Sequence, residues 1–270
     1  MRAPVALQFI GPAGAARAIA AGLPSWFVPA EVQPAVVWVD TPTWSDDARA
    51  ALAGGCQVVI VDHPVVRPAD VAALAGQAVV LCDDYSHTPA VGQFARQVAA
   101  LSDQIDWVDV LLQGGGGCDD LWRGLATLTA CGVRIDAAPR LTPSPGLVAD
   151  CRAGRARVHL SAVSAGRPAA TVKAFGAFGS LELRLGDPDV ASPGEVWRVD
   201  AGSASLAPTE FQTSRRAALK EAYAAVTHGL ALTSRLDDYA LVARLRQQAT
   251  GVVRSVDARA KTKTRKENTQ

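Results

Sequence analysis

Four short apolar runs, each closed by a turn and separated from the next by a stretch of helical composition, fill residues 5–82, and no other feature narrows the possible folds so far. The run over 5–10 meets Gly11-Pro-Ala-Gly14, which opens an Ala-rich helical stretch over 13–22. A second run, 35–39, leads into a helix predicted over 45–52. Ser45 is its expected N-cap, Asp46 and Asp47 lie where the helix dipole favours negative charge, and Gly54-Gly55 stops it. The run over 58–61 is a third strand, 68–74 a short helix and 78–82 a fourth strand. Runs of this kind leave no wet face, so they predict a parallel sheet of four strands with helices on both sides.

Beyond residue 88 the pattern changes. A helix over 90–101, a strand over 107–112 and a helix over 121–129 precede short strands at 157–163, 170–175, 181–185 and 196–199, joined by Gly, Pro and Asp turns as in an antiparallel meander. Leu219, Tyr223, Val226 and Leu230 recur at helical spacing, and Leu236, Leu241 and Leu245 continue into a second helix. The expected class is therefore α/β: a Rossmann-like parallel sheet, then an α+β unit with an open, largely antiparallel sheet.

Composition narrows the partners. At 49% hydrophobic and 20% charged the chain reads as an ordinary globular protein. No apolar run approaches the ~20 residues of a membrane-spanning helix and no signal-peptide pattern opens the chain, so a cytoplasmic protein without membrane contact is expected. The five cysteines are scattered, with no CxxC pair, and are expected to be small buried residues rather than disulfides or metal ligands. The net charge of +1 hides a basic end: residues 258–270 carry Arg259, Lys261, Lys263, Arg265 and Lys266 against Glu267, leaving the body at −3. With no apolar residue larger than alanine, that end reads as a disordered tail and not as a nucleic-acid site.

Two places could carry chemistry. The glycine turn at Gly11 and Gly14 is either a plain strand–helix connection or a phosphate cradle, since backbone N–H groups at a helix start point at an anion there; its spacing is not GxGxxG. The ends of the third and fourth strands carry Asp62-His63-Pro64 and Asp83-Asp84-Tyr85. Residues just past the carboxyl ends of neighbouring parallel strands converge on one crevice. His63 and Tyr85 are then expected in one pocket as a general-acid pair, the alternative being two polar residues satisfied in loops. The Gly114–Gly117 run reads as a linker, and His87, His159 and His228 as structural residues without metal-ligand spacing. No Gly-x-Ser-x-Gly elbow or Walker loop is present.

The segments Gly55-Cys-Gln-Val-Val-Ile-Val-Asp-His-Pro64, Val66-Arg-Pro-Ala-Asp-Val-Ala-Ala-Leu74 and Tyr85-Ser-His-Thr-Pro-Ala-Val-Gly-Gln-Phe94 resemble the thiazolinyl imine reductases of siderophore assembly lines, within the Gfo/Idh/MocA oxidoreductase superfamily. Phe178-Gly-Ser-Leu-Glu-Leu183 and residues 212–250 resemble later parts of that superfamily. The resemblance implies a nicotinamide domain over 1–87, an α+β domain over 88–257 and an NADP cofactor held by Gly11, Gly14 and Pro64. It further implies Tyr85 as proton donor with His63 its partner, and reduction of a C=N bond on a small or carrier-bound intermediate. A homo-oligomer or partner subunit is expected. Asp62 stands where the family motif has Glu. His63 arrives about 30–40 residues early, given ~30 residues per βαβ unit, so the second and third strands with the adenosine-ribose loop are expected to be missing. That shortening leaves open a homologue without redox activity, acting as a scaffold or in proton transfer.

Overall fold

A computed structural model describes residues 3–249 apart from 24, 115–117, 143–145, 165, 191, 209, 233–235 and 237–238. The first sheet is built from β1 (Val5–Ile10), β2 (Phe27–Pro29), β3 (Val36–Val39), β4 (Val58–Asp62) and β5 (Val79–Cys82), with α1 (Gly14–Ala21), α2 (Trp44–Ala53) and α3 (Pro68–Ala73) between them. All pairings are parallel, in the order β2-β1-β3-β4-β5. The sheet thus has five strands and not four. The extra one is a three-residue edge strand whose last residue, Pro29, has no N–H to donate, a signal too short to register as an apolar run. A short strand thus follows α1 where none was expected, and the chain crosses directly from it to the far side of β1.

Alternation along β3, β4 and β5 sends Val37, Val59, Val61 and Leu81 to one face and Trp38, Ile60, Val80 and Cys82 to the other. Both faces are buried, as the continuous apolar runs require. One packs against α1 and against Ala218, Leu219 and Ala222. The other merges with the core of the second sheet. Helix α2 starts at Trp44, with Thr43 and not Ser45 at its N-cap. The buried Trp44 sends its indole N–H to the Val65 carbonyl at 3.3 Å, which draws the helix start forward, and the Ser45 hydroxyl bonds Asp70 Oδ1 at 3.1 Å instead.

After α4 (Pro89–Leu101) come β6 (Ile105–Gln113), α5 (Cys118–Ala130), β7 (Arg140–Thr142), β8 (Leu147–Ala153), β9 (Ala156–Val163), β10 (Ala169–Gly176), β11 (Gly179–Leu185), β12 (Glu195–Asp200) and β13 (Ser203–Leu206). They form one sheet in the order β13-β12-β11-β10-β6-β9-β8-β7. It is not a simple meander: β6 lies in the middle and pairs β9 in parallel, because the connection through α5 returns the chain in the same direction. Helix α6 (Ser214–His228) then packs back on the first sheet, although the sequence groups it with the second. Leu230 lies beyond its end and is exposed. Residues 239–249 are helical. Cys56, Cys82, Cys131 and Cys151 are buried, as expected, and free, and the side chain of Cys118 lies outside the described residues. No helix among the described residues is long and apolar enough to cross a membrane. The basic end at 258–270 lies outside the described residues, as do Gly115–Gly117.

Candidate active site

The carboxyl ends of β1, β3, β4 and β5 open on one side of the first sheet, and each supplies a turn. At β1, Gly11 has φ +92° and a Cβ there would lie 2.0 Å from the Asp40 carbonyl oxygen, so only glycine lets this turn meet the end of β3. Asp40 grips the turn twice. Its N–H donates to the Ile10 carbonyl at 2.9 Å, and its carboxylate Oδ2 accepts the Ala13 N–H at 2.9 Å, with Ala13 at φ +36°. Gly14, the first residue of α1, faces open space: a Cβ there meets no atom within 4 Å. The turn therefore does hold an anion, and that anion is the chain's own carboxylate.

At β4, His63 takes φ +45°, strained for a residue with a Cβ, while its N–H donates to the Cys82 carbonyl at 2.9 Å. Its side chain is 47% exposed. Nδ1 lies 3.2 Å from Asp84 Oδ1, and Nε2 meets the Arg215 guanidinium through Nη2. Because a guanidinium only donates, Nε2 stands as the acceptor of that contact, and Nδ1 faces Asp84. Arg215, in the first turn of α6, also donates through Nε to Asp62 Oδ2 at 2.9 Å and through Nη1 to Asp189 Oδ1 at 2.6 Å. Asp84 Oδ2 lies 2.9 Å from Arg123 Nε, an ion pair off the line of a hydrogen bond, and Arg123 reaches Asp120 at 3.4 Å. Four aspartates thus stand against two arginines around the imidazole, a formal excess of two negative charges.

Tyr85 is held differently. Asp83 Oδ1 accepts the N–H groups of Tyr85 and Ser86 at 2.9 and 2.7 Å, a local turn that directs the ring inward. The residue is 2% exposed, and among the described residues its hydroxyl makes no hydrogen bond. Burial, reinforced by the Asp84 charge, pushes its phenol well above the ordinary range, so it keeps its proton. It lines a small cavity with Asp84, Asp187 and Ser214. His63 and Tyr85 thus flank the same Asp84, one half-exposed and one buried. Pro64 is buried.

His87 is structural in its contacts: its ring spans from the Leu81 carbonyl at 3.1 Å to Glu221 Oε2 at 3.2 Å on α6. His159 pairs with Asp150 at 2.9 Å on the second sheet, and His228 ends α6 in solvent. Among the described residues no group of His, Cys, Asp or Glu is arranged to hold a metal. The sequence reading missed Asp40, Asp84, Arg123, Asp189 and Arg215. Only Asp84 had a signal, its place beside Tyr85; Arg215 stands 152 residues from His63, beyond the reach of any spacing rule.

No family model matches the chain, and no curated protein matches it in sequence. Solved structures do. An oxidoreductase from Sinorhizobium meliloti is 16% identical, with a TM-score of 0.71 over 96% of this chain and 99% of that one. GenD2 from gentamicin A biosynthesis, in complex with NAD, is 15% identical with a TM-score of 0.66 over 93% and 94%. A mutant of KijD10, a 3-ketoreductase from Actinomadura kijaniata in complex with TDP-benzene and NADP, is 14% identical with a TM-score of 0.64 over 92% and 97%. At such identities the likeness is one of fold, and across both sheets the fold of this chain is that of these oxidoreductases.

Proposed function

We propose that the chain is a nicotinamide-dependent oxidoreductase of the Gfo/Idh/MocA type that reduces a C=N bond, a thiazoline or imine, on a small or carrier-bound intermediate. The observation that carries this reading is the charge excess around His63. Reducing a carbonyl builds negative charge on oxygen, which Asp62, Asp84, Asp120 and Asp189 oppose. Reducing a C=N bond proceeds through a protonated nitrogen, and the same four carboxylates stabilise that cation. Hydride adds to carbon, the proton goes to nitrogen, and an amine results. When bound, the nicotinamide supplies the hydride. Gly14 and the start of α1 would hold its pyrophosphate.

In this reading the roles implied by the family resemblance are exchanged. His63 is the donor, because its imidazole reaches solvent while Tyr85 is buried. Asp62 and Asp84 lie beside the two nitrogens of its ring, 3.7 Å from Nε2 and 3.2 Å from Nδ1. Tyr85 is a positioning residue behind Asp84. One observation favours a second reading: the Asp40 carboxylate already holds the Ala13 N–H, as in a homologue that has given up its nucleotide and serves as a binding or proton-transfer subunit. NADPH titration by nicotinamide fluorescence, followed by turnover of a cyclic imine and of the matching ketone, separates these. Imine turnover above ketone turnover supports the reductase; no binding at millimolar NADPH supports the second reading.

A further inference from the structure

We propose that Asp40 is a built-in competitor for the phosphate position at the start of α1, and so the residue that sets how tightly this chain holds a dinucleotide. The inference rests on the nucleotide-binding part of the reading above. A backbone N–H donates one hydrogen bond, and that of Ala13, on the turn between β1 and α1, is spent on Asp40 Oδ2 at 2.9 Å. The carboxylate is not free to drift, because the Asp40 N–H is tied to the Ile10 carbonyl and its backbone is pressed against Gly11. Among the described residues no cation pairs with Asp40, and the charged side chain acting on it from β4 is another carboxylate, Asp62. Among the described residues, what faces its charge is the turn into α1. A pyrophosphate entering past the open Gly14 meets a fixed negative charge where the fold would offer an N–H.

Asp40→Asn tests this. The amide oxygen still accepts from Ala13, so the turn keeps its hydrogen bond while the charge goes. The probes are NADPH, read by fluorescence, and inorganic pyrophosphate, read by calorimetry. Removing one charge a few ångströms from a phosphate should tighten both by about tenfold or more. Adding Gly14→Leu should reverse the gain for NADPH. If Asp40→Asn melts early, Asp40→Ser, which also removes the charge, should show the same direction. Unchanged or weaker affinity for both probes in a folded variant overturns the proposal, as does binding of neither probe by either protein. Tighter NADPH binding without imine turnover sinks the reductase and leaves Asp40 its role. Imine turnover with affinity indifferent to Asp40→Asn does the reverse.

Discussion

Two glycines three residues apart in one turn should respond oppositely to a side chain, and the pair isolates what the turn does for the fold from what it does for a ligand. At Gly11 the backbone is in the left-handed region and an added Cβ falls 2.0 Å from the Asp40 carbonyl oxygen and 2.8 Å from its carbon. Gly11→Ala costs about 1–2 kcal/mol for the conformation. Pushing β3 off the turn adds roughly 1–3 kcal/mol. A total near 3–4 kcal/mol, at about 2–4 °C per kcal/mol for a chain of this size, lowers the melting temperature by about 10 °C. At Gly14 an added Cβ meets no atom within 4 Å, and leucine is the better helix former, so the melting temperature of Gly14→Leu should stay within about 2 °C of wild type. The isobutyl group nonetheless fills the space a pyrophosphate would use, and NADPH affinity should fall at least tenfold. Differential scanning fluorimetry and NADPH titration on the two variants check both halves. A Gly11→Ala protein that melts with wild type, or a Gly14→Leu protein that loses many degrees, would refute the reasoning from the turn's geometry.

Arg215→Met should destabilise by about 3–5 kcal/mol in denaturant titration, because it strands the buried Asp62, whereas Asp62→Leu with Arg215→Met should recover much of the loss and Asp189→Asn, at a 69%-exposed carboxylate, should cost less than about 1 kcal/mol. Steady-state kinetics on an imine should show His63→Gln losing about 10²–10⁴ in kcat, with Tyr85→Phe losing less; the opposite order returns the donor role to Tyr85. For His87, burial favours the neutral ring but the Glu221 hydrogen bond and charge outweigh it, raising the imidazole above its usual value. The native state therefore binds this proton more tightly than the unfolded chain. The stability it contributes is full below about pH 6.5 and is lost as pH rises through the raised value, so the melting advantage of wild type over His87→Gln should shrink as pH rises above about 6.5. The open face of the second sheet carries Trp107 beside Phe175, with Val199 two strands further along the same row, all at least 36% exposed. Light scattering should show an oligomer that Phe175→Glu reduces in mass, and a wild-type monomer at high concentration removes this surface from consideration.

Much was legible without coordinates. The parallel sheet followed from four apolar runs that had no polar face to give to water, and the rule that loops after neighbouring parallel strands share one side anticipated that His63 lies beside Asp84, although the cavity lined by Tyr85 does not include His63. These are local or nearest-neighbour properties: burial on both faces imposes a composition, and chain direction imposes the side on which the loops emerge. Helix α6 and β2 escaped for opposite reasons. The first has the right periodicity but nothing in it says which sheet it will cover, and the second is an edge of three residues that needs hydrogen bonds on one side only.

What the tertiary structure alone decided is the state of the candidate site. Arg215 comes from the far end of the chain to meet Asp62 and His63, and Asp189 closes on it from the second sheet, so the imidazole has a partner more than a hundred residues away. Tyr85 and His63 are equivalent as symbols in a motif, yet one is sealed in the core and the other is wet, because the Asp83 carboxylate ties the turn that sends the tyrosine inward and a left-handed backbone turns the histidine outward. Likewise Asp40 is one acidic residue after a strand until β3 is laid against β1, when its carboxylate reaches the Ala13 N–H. Composition and spacing determine which segments are strands and helices, since those depend on burial of neighbours along the chain. Charge, exposure and the donor left free depend on which distant side chains fold onto the site, and that is settled only by packing in three dimensions.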